Sequence, residues 1–317
     1  MECISRERLC APMSKGGLNI VDFSVKCVSL RLSNFRSLRD HFGTEKWHFL
    51  ARYFLGRRLF KLDNRFNFCS NTFPASSQPS GYYQKCLDKL ISLYNSYKHL
   101  PDDLSSKNIY RLLLCLPRDA PRSAGFWDAV LIRPINRWAT VWRKSRLKLI
   151  ENKKNDLLWL ILHRAVRVRY SLKSWGYINN DKCAVCNRVE NIEHCFLACP
   201  RIVRVWDHFS APLSRVLDST FVVSIPAVFY PLSDVQSTPT FSLFCYLVAT
   251  ILYWTWISRN LATFRNSSLS SRDIINLIKN DVKSRIICAS DDAVRNFWSL
   301  RSAFCSIDDD GSIAFHL

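Results

Sequence analysis

Four residues with metal-ligating side chains lie close together in the chain: Cys183, Cys186, His194 and Cys199. The Cys-x-x-Cys spacing puts two thiolates on one tight turn, so that both sulfurs can reach one tetrahedral ion. The polar residues 187–193 suit a loop, and Pro200 begins an apolar periodic run that predicts a helix directly after the last ligand. Three thiolates and one imidazole, with no open position, are typical of structural zinc. The spacing therefore predicts one Zn²⁺ ion held by these four side chains.

Three other interpretations of the cysteine cluster were weighed. Chance clustering is disfavoured, because this spacing is far more specific than a lone Cys-x-x-Cys. Cys195 could displace a ligand, but it directly follows His194, and adjacent residues of one element point to different faces. A thioredoxin-like redox role is disfavoured because no βαβ pattern surrounds the two cysteines. We therefore keep the four-ligand zinc site and leave Cys195 out of it.

Two acidic stretches have the residue types of a catalytic metal site. Ser290-Asp291-Asp292 follows an apolar Ile286-Ile287-Cys288, but it lies within helical periodicity and has no upstream partner strand. Asp308-Asp309-Asp310 is followed by too few residues to supply further metal-binding carboxylates. No Gly-rich phosphate loop or Ser-His-Asp arrangement is visible. We expect a solvated turn at the first stretch, an acidic tail at the second, and no catalytic centre in the chain.

The chain is strongly basic, with a net charge of +19 and a pI near 9.6. This excess favours a polyanionic partner through counterion release, and RNA or single-stranded DNA is the expected one. Residues 133–173 include twelve Lys and Arg residues but only two acidic residues, Glu151 and Asp156. The residues expected to contact phosphates are Arg137, Arg143, Lys144, Arg146, Lys148, Lys153, Lys154, Arg164, Arg167 and Arg169.

Three tryptophans lie among these charges, at Trp138, Trp142 and Trp175. They could stack on unpaired bases. Trp138 and Trp142, however, share one helical face with Val141, so we expect them to lie mainly in the core.

The composition predicts a mainly α, multi-helical fold with a small zinc knuckle inserted between helices and little β structure. Only 8 of 317 residues are Gly, and 48% are hydrophobic. Helix-period apolar patterns and Pro or Ser-rich breaks divide the chain into four segments. The segments are a helical segment at 1–70, a linker with connector helices at 71–132, a basic helical region with the knuckle at 133–217, and a C-terminal helical region with an acidic tail at 218–317.

One long apolar run, from Phe241 to Ile257, resembles a membrane span in composition but is of borderline length. Its Ser, Thr, Tyr and Trp residues favour a buried core helix, and no membrane partner is expected. The thirteen cysteines suggest no disulfide framework, and the charged N-terminus lacks the features of a secretory signal. We therefore expect an intracellular protein, cytoplasmic or nuclear, with mostly free thiols.

A recognisable pattern surrounds the cysteines. It runs as Trp159-x-x-Leu162-His163, Val168-Arg169-Tyr170-x-Leu172-x-x-Trp175-Gly176, Cys183-x-x-Cys186, Glu193-His194-x-Phe196-x-x-x-Cys199-Pro200 and Val205-Trp206. This pattern resembles the zinc-binding region C-terminal to the reverse transcriptase of non-long-terminal-repeat (LINE-type) retrotransposons. Trp256-Ile257-Ser258-Arg259-Asn260 resembles a helix that often follows it, and Pro12-x-x-x-Gly16-Gly17-Leu18 resembles the segment just after the polymerase palm. Only the block at 159–206 is specific.

The resemblance implies a C-terminal fragment made of a thumb-like helical region, a connector and the knuckle. It implies no palm, because only nine residues precede Cys10, and it implies that a polymerase would come from an intact element. Two alternatives stay open. Zinc could join helical units in a scaffold protein that binds no nucleic acid, or the chain could be a non-functional fragment.

Overall fold

The computed structural model of the chain describes residues 4–40, 46–66, 80–114, 121–130, 138–144, 146–147, 149–229, 239–288, 305–307 and 312–316. Of the ten basic residues expected to bind phosphate, Arg137 and Lys148 lie outside these ranges, and the side chains of Arg143 and Lys144 are not described. The acidic stretches at 290–292 and 308–310 also lie outside them.

The predicted mainly α fold is confirmed. The described residues form mostly helices, and the strands β1 (Cys305–Ile307) and β2 (Ile313–Phe315) form a short antiparallel hairpin with Cys305 opposite Phe315. The structure divides into two compact units, Ser5–Ala120 and the part from Pro121 onward.

The first unit contains six α-helices among its described residues. They are α1 (Arg6–Cys10), α2 (Phe23–Ser33), α3 (Phe35–Asp40), α4 (Lys46–Leu62), α5 (Gly81–Tyr97) and α6 (Ser106–Leu114). Its core consists of leucines and aromatics that recur at helical spacing, such as Leu87, Leu90 and Leu93 on the inner face of α5. The α5 helix matches the helix predicted after the Ser and Pro-rich linker.

The Gly16-Gly17 turn closes the start of this unit. Gly16 has a φ of 78°, in the left-handed region that glycine adopts without strain. A Cβ on Gly17 would lie 1.8 Å from the carbonyl oxygen of Ala11. The segment 18–21 follows this turn. It forms no strand, although Leu18 donates a backbone hydrogen bond to the carbonyl of Leu9 at 3.0 Å.

The second unit holds the cysteine cluster and the largest core. Its helices are α7 (Arg122–Val130), α8 (Trp138–Lys144), α9 (Asn152–Leu162), α10 (Arg169–Ser174), a π-helical turn (His194–Ala198), α11 (Pro200–Leu217), α12 (Ile225–Phe229), α13 (Pro239–Phe264) and α14 (Ser271–Ile287). Helix α11 begins at Pro200, where the sequence predicts a helix directly after the last ligand. At the start of α14, Ser270 and Asp273 form a reciprocal capping box.

The apolar run predicted as a core helix forms the centre of this unit. Residues Phe241–Phe264 make a helix long and apolar enough to cross a membrane, but 67% of its most apolar window is buried inside the protein. The helix α13 packs against α9, α11, α14 and the π-helical turn. Helix-on-helix packing therefore buries this surface, as expected for a core helix.

The two compact units do not coincide with the four segments predicted from the sequence. Helices of the segment 1–70 share one core with α5 and α6 of the segment 71–132, because α5 packs on α4 and α6 packs on α2, whereas α7 belongs to the other unit. Helices of the segments 133–217 and 218–317 share the other core, because α11 packs on α13 and α14. Side-chain packing thus joins regions that the composition separates.

Candidate metal centre

The four predicted ligands converge in the structure. The ligand atoms of Cys183, Cys186, His194 and Cys199 all lie within 4.8 Å of one another. Cys186 is half-buried and the other three are buried. Ligands about 2.3 Å from a zinc ion stand about 3.8 Å apart in a tetrahedron, so the cluster fits a zinc ion by donor type and by spacing.

A tight turn brings the first two cysteines together. Lys182 and Val189 form an antiparallel bridge, and Cys183 donates from its backbone to the carbonyl of Arg188 at 2.7 Å. Asn187 has a φ of 57° and donates back to the carbonyl of Cys183 at 3.0 Å. The backbone N–H of Val185 also points at the Cys183 sulfur, at 3.4 Å. This turn orients backbone donors toward a thiolate, which stabilises its negative charge.

The π-helical turn brings the other two ligands together. In a regular α-helix, residues five apart would be separated by about 140° around the axis. The turn His194–Ala198 instead closes an i to i+5 bond, in which Cys199 donates to the carbonyl of His194 at 2.9 Å. His194 and Cys199 therefore lie on one side. Asn191 caps the turn, since its side-chain oxygen accepts from the backbone N–H of His194 at 2.7 Å.

Cys199 occupies the N-cap of α11, with Pro200 as the first helical residue. Unpaired N–H groups and the helix dipole favour negative charge at this position. A hydrogen bond joins the thiol groups of Cys183 and Cys199. A hydrogen bond with Cys199 lowers the pKa of the Cys183 thiol to about 4, and the same contact raises the pKa of Cys199. A bound Zn²⁺ would take the place of these protons, because thiolates and not thiols ligate zinc.

Cys195 lies apart from the ligand set. Its side chain is buried in the core, and that burial raises the pKa of its thiol. It is not among the four residues whose ligand atoms converge. The argument that neighbouring residues point to different faces thus holds here, and Cys195 serves as a small apolar core residue.

The π-helical turn is anchored to the core beside the cluster. Trp206 on α11 donates its indole N–H to the carbonyl of Phe196 at 2.8 Å. The Phe196 ring is fully buried and contacts Phe229 and Trp256, with ring centroids 5.9 Å and 6.1 Å away. These contacts hold the second pair of ligands in place.

A buried ion pair anchors the loop between the two ligand pairs, and the sequence argument missed its role. Glu190 is 2% exposed and Arg259 on α13 is 6% exposed. The Nε and a terminal nitrogen of Arg259 donate to one carboxylate oxygen of Glu190 at 2.8 Å and 2.6 Å. The same oxygen accepts from the backbone N–H of Arg169 at 2.9 Å, at the start of α10. The available signal was that Arg259 is the one charged residue between Phe241 and Phe264.

The expectation that Lys154 contacts phosphate is wrong. Its side chain is fully buried on the inner face of α9, and its ammonium group pairs with Glu151 and Asp281, each at 3.0 Å. It also lies 4.8 Å from the ring centre of Tyr246. A helix places consecutive residues about 100° apart, so Lys154 faces the core while Lys153 stays exposed.

Three other members of the predicted basic surface are engaged within the protein. Arg146 pairs with Asp156, and Arg164 pairs with Glu193 at 2.6 Å and lies over the Phe126 ring. Arg169 donates from its side chain to the carbonyl of Asn180 at 3.3 Å. Lys153 and Arg167 are exposed. Among the described members of this surface, four are therefore engaged within the protein: Arg146, Lys154, Arg164 and Arg169.

The tryptophans in this region pack inward, as expected. Trp138 and Trp142 stack with ring centroids 5.2 Å apart, and Trp142 stacks in turn on His163 at 4.6 Å. Trp142 is buried, and Trp138 packs against the same core. Trp175 is half-buried.

Comparison with known proteins identifies the region around the cluster. A family model described as zinc-binding in reverse transcriptase matches residues 125–206, a stretch that contains all four ligands. No curated protein and no solved structure matches the chain. The match supports a reverse-transcriptase zinc-binding domain, and it is to the zinc-binding region and not to the polymerase palm.

Proposed function

We propose that this chain is a zinc-containing, nucleic-acid-binding module derived from the reverse transcriptase polyprotein of a non-LTR retrotransposon, with no catalytic centre of its own. The observation that carries the proposal is the convergence of Cys183, Cys186, His194 and Cys199 inside the stretch that matches the family model. The thiolate and imidazole donors of this set suit zinc.

The proposed role of the metal is structural. Three sulfurs and one imidazole fill a tetrahedral shell, which leaves no position for water or substrate. The ion would join the Cys183–Cys186 turn to the N-terminus of α11, and the Glu190–Arg259 pair reinforces the loop between them.

The proposed partner is RNA or single-stranded DNA, inside the cell. The support is the net charge of +19, which favours a polyanion. We also propose that any polymerase activity would come from the reverse transcriptase of an intact element.

Zinc per chain, measured by elemental analysis of the purified protein, tests the metal site. We expect one equivalent in the wild type and a sharp fall in the double variant Cys183→Ser/Cys199→Ser. Cys195→Ala is the matched control, because it removes a neighbouring buried cysteine outside the cluster, and it should keep the metal. A folded wild type without metal would refute the zinc site.

Binding of a fluorescent single-stranded RNA between 50 and 500 mM salt tests the partner. We expect an affinity that falls steeply with salt, because each neutralised phosphate releases counterions. Equal affinity at both salt concentrations would argue against phosphate contacts.

One observation favours a second candidate, a zinc-stabilised helical scaffold. Lys154, Arg146 and Arg164 pair with carboxylates of the protein itself, so part of the basic region serves internal packing. A scaffold would bind one zinc per chain and show no RNA binding in the same titration.

A further inference from the structure

A further set of positive charges in the second unit forms a row on two neighbouring helices, and none of its members is among the ten residues expected to contact phosphates. Arg204 and Arg215 lie on α11, and Arg272, Lys279 and Lys283 lie on α14. All five are exposed or half-buried. Among the described residues, none of the five takes part in an ion pair. We call these five residues the α11/α14 basic row.

The two helices run in the same direction, which aligns their charges. At their starts, the Ser271 hydroxyl donates to the carbonyl of Arg201 at 2.9 Å. Midway along, His208 on α11 lies near enough to Lys279 on α14 for the lysine charge to help lower its pKa, after the larger effect of burial. Further along, Arg215 donates to the carbonyl of His316 at 3.1 Å, and Lys283 lies over the ring of the adjacent Phe315 at 5.2 Å.

Helical spacing places each set of cations on one face. Arg204 and Arg215 are eleven residues apart, as are Arg272 and Lys283, which at a rise of 1.5 Å per residue is about 16 Å. Eleven residues make about three turns, so the first and last cations of the row on each helix lie on the same helical face. At 3.4 Å per nucleotide of one strand, this length corresponds to about four or five phosphates.

Among the described residues, the carboxylates near the row form no salt bridge with its five cations. Asp273, beside Arg272, is held by Ser270 in the capping box of α14. Asp281, which follows Lys279 by two residues, accepts from Lys154 and from the indole of Trp254. Asp207 lies on α11 beside His208, toward the side of Val203 and Trp206.

We infer that the α11/α14 basic row is a binding surface for the sugar-phosphate backbone of nucleic acid. This inference rests on the proposed function. All five members of the row are cations, and they recur at helical intervals. It would therefore grip phosphates without reading bases, and its binding would depend on salt and not on sequence. The buried zinc cluster at the start of α11 would hold the first of the two helices in position.

The test compares three full-length proteins that bind a fluorescent single-stranded RNA over a salt series. They are the wild type, the row variant Arg204→Gln/Lys279→Gln/Lys283→Gln, and a control variant Lys85→Gln/Lys89→Gln/Lys107→Gln. The control removes the same charge from exposed lysines of the first unit. Zinc content and thermal unfolding of each protein check that the fold is kept.

We expect the slope of log affinity against log salt to fall by about 0.7 for each lost contact, and so by about 2 in the row variant, with the control close to the wild type. Equal slopes for the two variants would overturn the row while leaving nucleic-acid binding intact. If none of the three proteins binds RNA, both the proposed function and the inference about the α11/α14 basic row are wrong. Binding only to vesicles of anionic lipid would assign the row to a membrane surface and would also overturn the inference.

Discussion

Arg259 shows how one residue anchors the loop that joins the two pairs of zinc ligands. It is the one charge in an otherwise uncharged stretch of α13, and it meets Glu190, 69 positions earlier in the chain. The guanidinium also lies over the Trp256 ring, 5.0 Å from its centre. Because both partners are buried, either charge would be left without compensation if the other were removed.

Arg259→Ala should therefore destabilise the second unit by about 3–5 kcal/mol, which is the usual cost of leaving one member of a buried ion pair alone. Chemical denaturation followed by circular dichroism would measure the loss. Arg265→Ala is the matched control, since Arg265 follows α13 directly and is exposed. It should change the stability by no more than about 0.5 kcal/mol. Similar losses for the two variants would contradict a specific role of the buried pair.

Lys153 and Lys154 also show that packing decides the environment of a charge, since the sequence predicted phosphate contact for both. The two lysines are adjacent in the sequence. Lys153 is exposed over the Tyr253 ring, whereas Lys154 is buried between two carboxylates. The burial follows from the rotation of α9 against α13 and α14, which no count of charges can supply.

Among the secondary-structure elements, two unusual backbone geometries bring parts of the chain close together. The π-helical turn aligns His194 with Cys199, and the Gly16-Gly17 turn lets the chain pass the carbonyl of Ala11. Gly17 is needed because of a close approach, since an added Cβ would lie 1.8 Å from that oxygen.

Gly17→Ala should destabilise the first unit by more than about 1 kcal/mol, because the backbone must shift to relieve the contact. Gly81→Ala is the comparison. Gly81 is the first residue of α5, and its Cβ would meet nothing within 4 Å. That variant should gain about 0.4–1 kcal/mol through a less flexible unfolded chain. Denaturant unfolding of both variants would check the opposite signs, and equal effects would refute the close-approach argument.

At the scale of the whole molecule, the two compact units have separate cores, and the cysteine cluster belongs to only one of them. A metal that binds the folded state but not the unfolded state stabilises the unit that contains it. The metal should therefore affect the two units unequally.

Removal of zinc with a chelator should destabilise the unit from Pro121 onward by about 4 kcal/mol if zinc stood at 1,000 times its dissociation constant. Hydrogen exchange with mass spectrometry would show faster exchange at 183–199 and in α11, and little change in Ser5–Ala120. The variant Cys183→Ser/Cys199→Ser should not respond to the chelator. A uniform response of both units would contradict the assignment of the metal to one core.

The four candidate ligands, the mainly helical fold and the start of α11 could be predicted from the sequence alone. These features depend on short-range spacing, either the reach of side chains around one ion or the period of a helix. Which cations are open to a partner depends on the tertiary structure. Glu190 meets Arg259, Lys154 turns inward, and the charges of α11 and α14 align, because residues distant in sequence pack together. Long-range packing selects the face of each helix that is covered, and so it decides whether a given cation is buried, paired or open to a partner.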